Sequence, residues 1–487
     1  MGITDSFGRV ADCLHEGAVL MGTVQIGAVP PWLSAAQMSR AFAKGTFSPV
    51  EAAQTALARI DAVNPTINAI YHLDVDEAME QARAAEARWQ RGAALGPLDG
   101  IPTTVKDAVD VAGMPAYRGS AAAQAVWASA DHPVVARMRA AGMLFLGKNT
   151  MCDYGILAAG ISSRHGVTRN PWNPSRTTGA SSSGAAASVA AGIEPVSIGT
   201  DIVGSIRVPA AYCGLAGLKP SQGRVPYYFP ISPSLVAGPL ARCFEDVALM
   251  MNVLTGPDSR DFTALPRDGI DYLAQLKAPT DPPRVLVVRD LGIGAPTTPD
   301  MIAAVDRTAD VLRETGATIE QLAAPPFTRG EYAPAEAFYM TRTLSELERQ
   351  PEEEARKTPV IWDWTRPALA FSAVDHHRNW EGMQRLRERA HALIDGFDFV
   401  LMPSVPGTAF DADAAGADPA RPFESWANTF LFNLTEQPAA NVPVGLGGDG
   451  LPLGVQVLGR RFDDLGVLRL AWQLETALGQ MPRPVLS

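Results

Sequence analysis

The 487-residue chain is poor in the features that would bind it to a metal, a disulfide framework, a membrane or a nucleic acid. Its four cysteines, Cys13, Cys152, Cys213 and Cys243, are widely spaced and form no CxxC pair. That fits free thiols in a reducing compartment, with Cys213, in an apolar stretch, read as a small core residue. Seven histidines are scattered, and the His376-His377 pair has no second cluster of ligands near it, so no metal and no organic cofactor is expected. No apolar run reaches the roughly 18 residues of a membrane-spanning helix, and no basic region followed by a long apolar core marks a secretory leader. The net charge of −11 leaves no basic footprint for nucleic acid or acidic lipid. A cytoplasmic protein is the expectation. What is present is 47% hydrophobic and 19% charged residues, the composition of a globular protein with a large core.

The chain has its most unusual composition at residues 177–223, TTGASSSGAAASVAAGIEPVSIGTDIVGSIRVPAAYCGLAGLKPSQG. This stretch is dense in Gly, Ser and Ala, but its apolar runs and regular order set it apart from a flexible tether. A serine turn at 179–184 opens an alanine-rich helix over 185–191, with Gly192 placed for a C-terminal cap. A strand-like run at 195–199 and a second glycine-bearing turn, TDIVGS at 200–205, follow. The order turn, helix, strand, turn brings two serine-bearing loops to one end of a layered domain. A serine hydroxyl needs a base and oxyanion donors to act as a nucleophile, and the amides of Ile202, Val203, Gly204 and Ser205 are candidates for that second task. The bland alternative is a tight turn whose hydroxyls satisfy the backbone.

Three motifs together resolve this choice: GIPTTVKDAVDVAG at 100–113, GASSSGAAASVAAG at 179–192 and GTDIVGSIRVPAAYCGLAGLKP at 199–220. With them the chain resembles the amidase signature family of amide hydrolases, from about residue 34 to about residue 476. The resemblance implies a Ser–cis-Ser–Lys triad: Ser205 as nucleophile, Ser181 as the bridging cis-serine and Lys106 as base. It also implies that residues 152–155, ending in Gly155, border the acyl pocket. Lys106 closes the apolar strand 103–105, and burial there would depress its pKa and leave neutral amine. Asp201 and Arg207 bracket Ser205 and are expected to pair. Ala180, Ser183, Ala185 and Val203 depart from the family's usual residues. Val203, stiff and β-branched, bears on pocket width and oxyanion geometry.

Outside the motifs the pattern is scaffold. Ser48, Pro49 and Glu51 form a capping box that starts a helix through Ile60, stopped before Pro65. Further helices are read at 76–91, 300–315 and 465–478, strands at 143–146, 318–319 and 399–402, and a closing strand pair within 433–456. RVLVVR at 284–289 reads as a central strand. This alternation argues for an α/β fold. The resemblance adds a mixed, mostly parallel, many-stranded central sheet covered by helices on both faces. One domain is expected over 34–487, preceded by an N-terminal extension at 1–33. A variable, aromatic-rich region about 322–432 is expected to shape the substrate funnel. The implied partner is a small-molecule amide, with no nucleic acid and no membrane, and a homodimer stays open. Two other readings stay open as well. One is the glutamine-hydrolysing subunit of a tRNA-dependent amidotransferase, which the Tyr227-Tyr228 stretch does not favour. The other is a catalytically silent scaffold on the same fold.

Overall fold

A computed structural model describes residues 32–228, 234–418 and 421–486. The extension expected at 1–33 lies outside the described residues except for its last two, and residues 31–487 form one folded unit. An 11-stranded sheet runs through that unit. In chain order its strands are β1 (Ile70–Leu73), β2 (Pro102–Lys106), β3 (Leu144–Asn149), β4 (Val196–Asp201), β5 (Ala216–Lys219) and β6 (Val236–Ala241). There follow β7 (Arg284–Val287), β8 (Thr318–Gln321), β9 (Phe399–Pro403), β10 (Ala439–Leu446) and β11 (Pro452–Gly459). Their order across the sheet is β1-β3-β2-β4-β6-β5-β10-β11-β9-β7-β8. The sheet is mixed, with helices on both faces. Parallel pairing is confined to two blocks, β3-β2-β4 and β9-β7-β8. The expectation of a mostly parallel sheet describes those blocks and not the antiparallel centre between them.

Buried strands, apolar on both faces, are what a sheet between two helical layers requires. β2, β3, β4, β6 and β9 are buried along their whole length. The RVLVVR segment forms β7 but lies one place in from the sheet edge, because the polar TIEQ strand β8 covers its outer side. Apolarity reported burial, not centrality.

The helices follow their caps. Ser48 and Glu51 close the expected capping box, yet this helix runs Pro49–Ile67 and contains Pro65. Pro65 falls in the last turn, ahead of an Asn68 cap in the left-handed region at φ 50°, so it takes one N–H out of the helix where only two residues follow it. In the signature stretch the helix Ser183–Ala190 is buried throughout, with Gly192 just beyond it at φ 76°. Since β2 and β4 are parallel neighbours, with Val105 beside Ile198, their C-terminal ends reach the same edge of the sheet. The helix Ser183–Ala190 leads into β4, so the loop before it returns to that edge. Three segments distant in sequence thus converge.

Candidate active site

Lys106 is the last residue of β2 and is fully buried. Its Nζ lies 2.8 Å from Ser181 Oγ, 2.9 Å from Ser182 Oγ and 2.8 Å from Thr200 Oγ1. Burial pushes the amine down from the ordinary lysine value of 10.5 to about 7, although Cys152, Asp201 and Asp107 pull the other way. Asp107, next in the chain, accepts hydrogen bonds from Tyr71 Oη and from the amides of Tyr117 and Gly119. Those bonds fix the loop that leaves β2.

The serine loop contains a cis peptide bond between Ala180 and Ser181. The amide of Ser182 donates to Ser205 O over 3.2 Å, which ties this loop to the turn after β4. Ser181 and Ser205 line one cavity of about 310 Å³, together with Gly155, Thr200, Ile202 and Tyr154. Gly155 has φ 74°, and a Cβ built there would lie 3.2 Å from Ser181 Oγ, so a side chain would crowd the serine. Tyr227 and Tyr228 flank the buried His132 ring, and all three line the same cavity.

The turn 201–207 is held from inside. Arg207 and Asp201, both fully buried, pair at 3.0 Å, as their positions in the sequence suggested. Burial alone would raise the Asp201 carboxyl, but the Arg207 guanidinium outweighs it and holds the group down at about 2. Arg207 also donates to Thr429 O, Gln456 Oε1 and Asn433 Oδ1. Asp201 accepts from the amides of Gly204 at 2.7 Å and Ile206 at 3.1 Å. This corrects one expectation. The Gly204 amide is bonded to the Asp201 carboxylate, so the oxyanion candidates are narrowed to Ile202, Val203 and Ser205. Gly204 is needed for another reason: φ is 130° and a Cβ would lie 2.0 Å from Thr429 Oγ1.

A second, tighter pocket opens beside Gly155 and Ile202, enclosing only about 30 Å³. Its walls include Val203, Tyr332, Tyr339, Trp364, Trp426 and Phe430. Of the loop expected to border the acyl group, Tyr154 and Gly155 reach the cavity, whereas Cys152 is turned inward with its Sγ donating to Leu157 O. The Asp153 carboxylate instead accepts from Ser163. Among the described residues, no three His, Cys, Asp or Glu side chains form a group able to hold a metal ion.

The family model described as Amidase matches residues 51–468. The chain belongs to the amidase signature family. It is an amide hydrolase by that membership. It is 35% identical over 474 residues to a glutamyl-tRNA(Gln) amidotransferase subunit from Chloroflexus aggregans, covering 90% of this chain and 95% of that one. To the acylamidase of Rhodococcus erythropolis it is 31% identical, with 91% and 95% covered. Among solved structures, a bacterial aryl acylamidase of the amidase signature enzymes superposes with a TM-score of 0.84 at 29% identity, covering 92% of this chain and 96% of that one. A 6-aminohexanoate cyclic dimer hydrolase complexed with substrate gives 0.83 at 26%, with 92% and 98% covered.

Sequence reasoning missed Ser182 and Thr200 as partners of Lys106, although both lie inside the signature motifs. It also missed Thr429, more than 200 residues from the turn it buttresses. No local signal marks such a contact.

Proposed function

We propose that this amidase acts alone, cleaving a carboxamide to a carboxylate and ammonia or an amine through an acyl-enzyme on Ser205. The observation that carries the reading is the fully buried Lys106, with its amine near neutrality and three hydroxyl partners within 2.9 Å. A neutral amine has two N–H donors and one lone pair. Ser182 Oγ can give its single proton to Thr200 O, so it accepts from Lys106. Ser181 is then suited to face the lone pair. Lys106 takes the Ser181 proton as Ser181 takes that of Ser205, and Ser205 Oγ bonds to the substrate carbonyl carbon. The carbonyl π electrons move to oxygen, where the amides of Ile202, Val203 and Ser205 receive the charge. Collapse breaks the C–N bond as the relayed proton passes to the leaving nitrogen. Water then attacks the ester carbon and gives its proton through the same relay to Ser205 Oγ as the bond from that oxygen to the acyl carbon breaks, which frees the acid and restores the serine. No metal or organic cofactor enters this sequence.

The test is Ser205→Ala, which deletes only the nucleophilic oxygen. Amide hydrolysis should vanish while the melting temperature stays put, and more than a few per cent of residual activity in a pure sample would refute the assignment. A second reading, as one component of a multi-subunit amidotransferase, is favoured by the identity to the Chloroflexus protein. It predicts glutamine hydrolysis that depends on co-purifying subunits, whereas the stand-alone reading predicts ammonia or amine release from simple aliphatic or aryl amides by the single chain.

A further inference from the structure

The side pocket and the oxyanion turn share more than their lining. Ile202 and Val203 are part of the pocket wall, and their backbone carbonyls are each held by a hydroxyl from a remote segment. Thr429 Oγ1 donates to Val203 O over 2.6 Å, and Ser234 Oγ to Ile202 O over 3.3 Å. Ser234 Oγ lies 2.6 Å from the hydroxyl of Tyr339, itself a ring of the pocket wall. A serine hydroxyl carries one proton. If that proton goes to Ile202 O, the bond between the two hydroxyls must run from Tyr339 to Ser234.

These two clamps have different consequences. In a trans peptide the C=O of one residue and the N–H of the next point in opposite directions. Holding Val203 O therefore directs the Gly204 N–H, which ends on Asp201 and is structural. Holding Ile202 O directs the Val203 N–H, one of the three amides left for the oxyanion. We propose that Ser234 and Tyr339 are positioning residues that aim the Val203 N–H at the oxyanion, coupling the wall of the aromatic pocket to the chemistry. This rests on the reading of Ser205 as nucleophile.

Tyr339→Phe keeps the ring and removes the hydroxyl, and Ser234→Ala removes the clamp itself. Direct loss of an oxyanion donor costs about 100–1,000-fold in kcat. A misaimed donor should cost less, about 3–30-fold, with KM unchanged and the same factor for small and bulky acyl groups. Affinity for a trifluoromethyl ketone amide mimic, which becomes an oxyanion on adding Ser205, should fall by the same factor as kcat. A higher KM at unchanged kcat, or a loss confined to one acyl size, would show that Tyr339 merely lines the pocket and would overturn the proposal. If Ser234→Ala fails to fold, Tyr339→Phe decides by itself. The two levels of reading separate cleanly. An active Ser205→Ala variant removes the mechanism, whereas a dead Ser205→Ala beside normal kcat in Tyr339→Phe removes only the positioning role.

Discussion

At Lys106, function depends on which protonation state burial permits. Only the neutral amine can accept a proton, and that fraction grows as pH rises through about 7. The rate kcat/KM should therefore climb on the acid side with a midpoint near 7 and level off above it. Lys106→Arg keeps the charge but cannot give it up, so turnover should be lost across pH 6–9, and near-normal turnover would eliminate the neutral-lysine mechanism. The same shift acts on stability. The folded chain releases this proton at about 7 and the unfolded chain near 10.5, so the penalty of burying the ammonium is full below about pH 7 and fades between those values. Val203 poses a question of size. It is nearly buried and lines a pocket with almost no spare volume. Val203→Gly should shift the rate ratio towards bulky acyl amides, by about 10-fold or more on the scale of a methylene-sized difference. An unchanged ratio with a lower melting temperature would make it a packing residue. Lys106 and Val203 were singled out in the sequence by the motifs that carry the family resemblance. The engagement of the Gly204 amide was not legible, since the direction of a single N–H is set by tertiary partners.

The element that matters most is the turn between β4 and the helix Arg207–Cys213. Its Asp201–Arg207 pair sits in full burial, where removing one partner strands the other charge. Arg207→Leu should therefore destabilise the fold by roughly 3–5 kcal/mol, measured by denaturant unfolding. The pH signature is also fixed. The Asp201 carboxyl is held down at about 2 against an ordinary 3.8, so its contribution is present above about pH 4 and is lost as pH falls towards 2. An acid-unfolding midpoint in Arg207→Leu no different from that of the parent would contradict this. Helix starts were the most readable elements, because caps such as Ser48 with Glu51 are local chemistry. The helix end at Ile67 was less so, since a proline this close to the end costs one hydrogen bond without stopping the two residues that follow it. Likewise, Thr429 and Asn433 brace the turn from the helix Ala427–Leu434, and nothing in their own segment announces it.

For the whole molecule, alternating strands and helices announced a layered α/β fold, but strand order was invisible. Neighbours in the sheet are chosen by long-range packing, and periodicity carries no address. That order has a consequence for how the protein is made. The first six strands form one side of the sheet and β7, β8 and β9 the other, while the hairpin β10–β11, made after all nine of them, lies between them. Until it emerges from the ribosome, β5 and β9 are two bare edges facing an empty slot, each able to pair with the wrong chain. Arg207, meanwhile, still lacks Gln456, which is carried on β11. The nascent chain thus carries the β5 edge bare from residue 219, and the β9 edge bare only from residue 403, until residues 439–459 are made, and cellular yield depends on how well β5 is shielded in that interval.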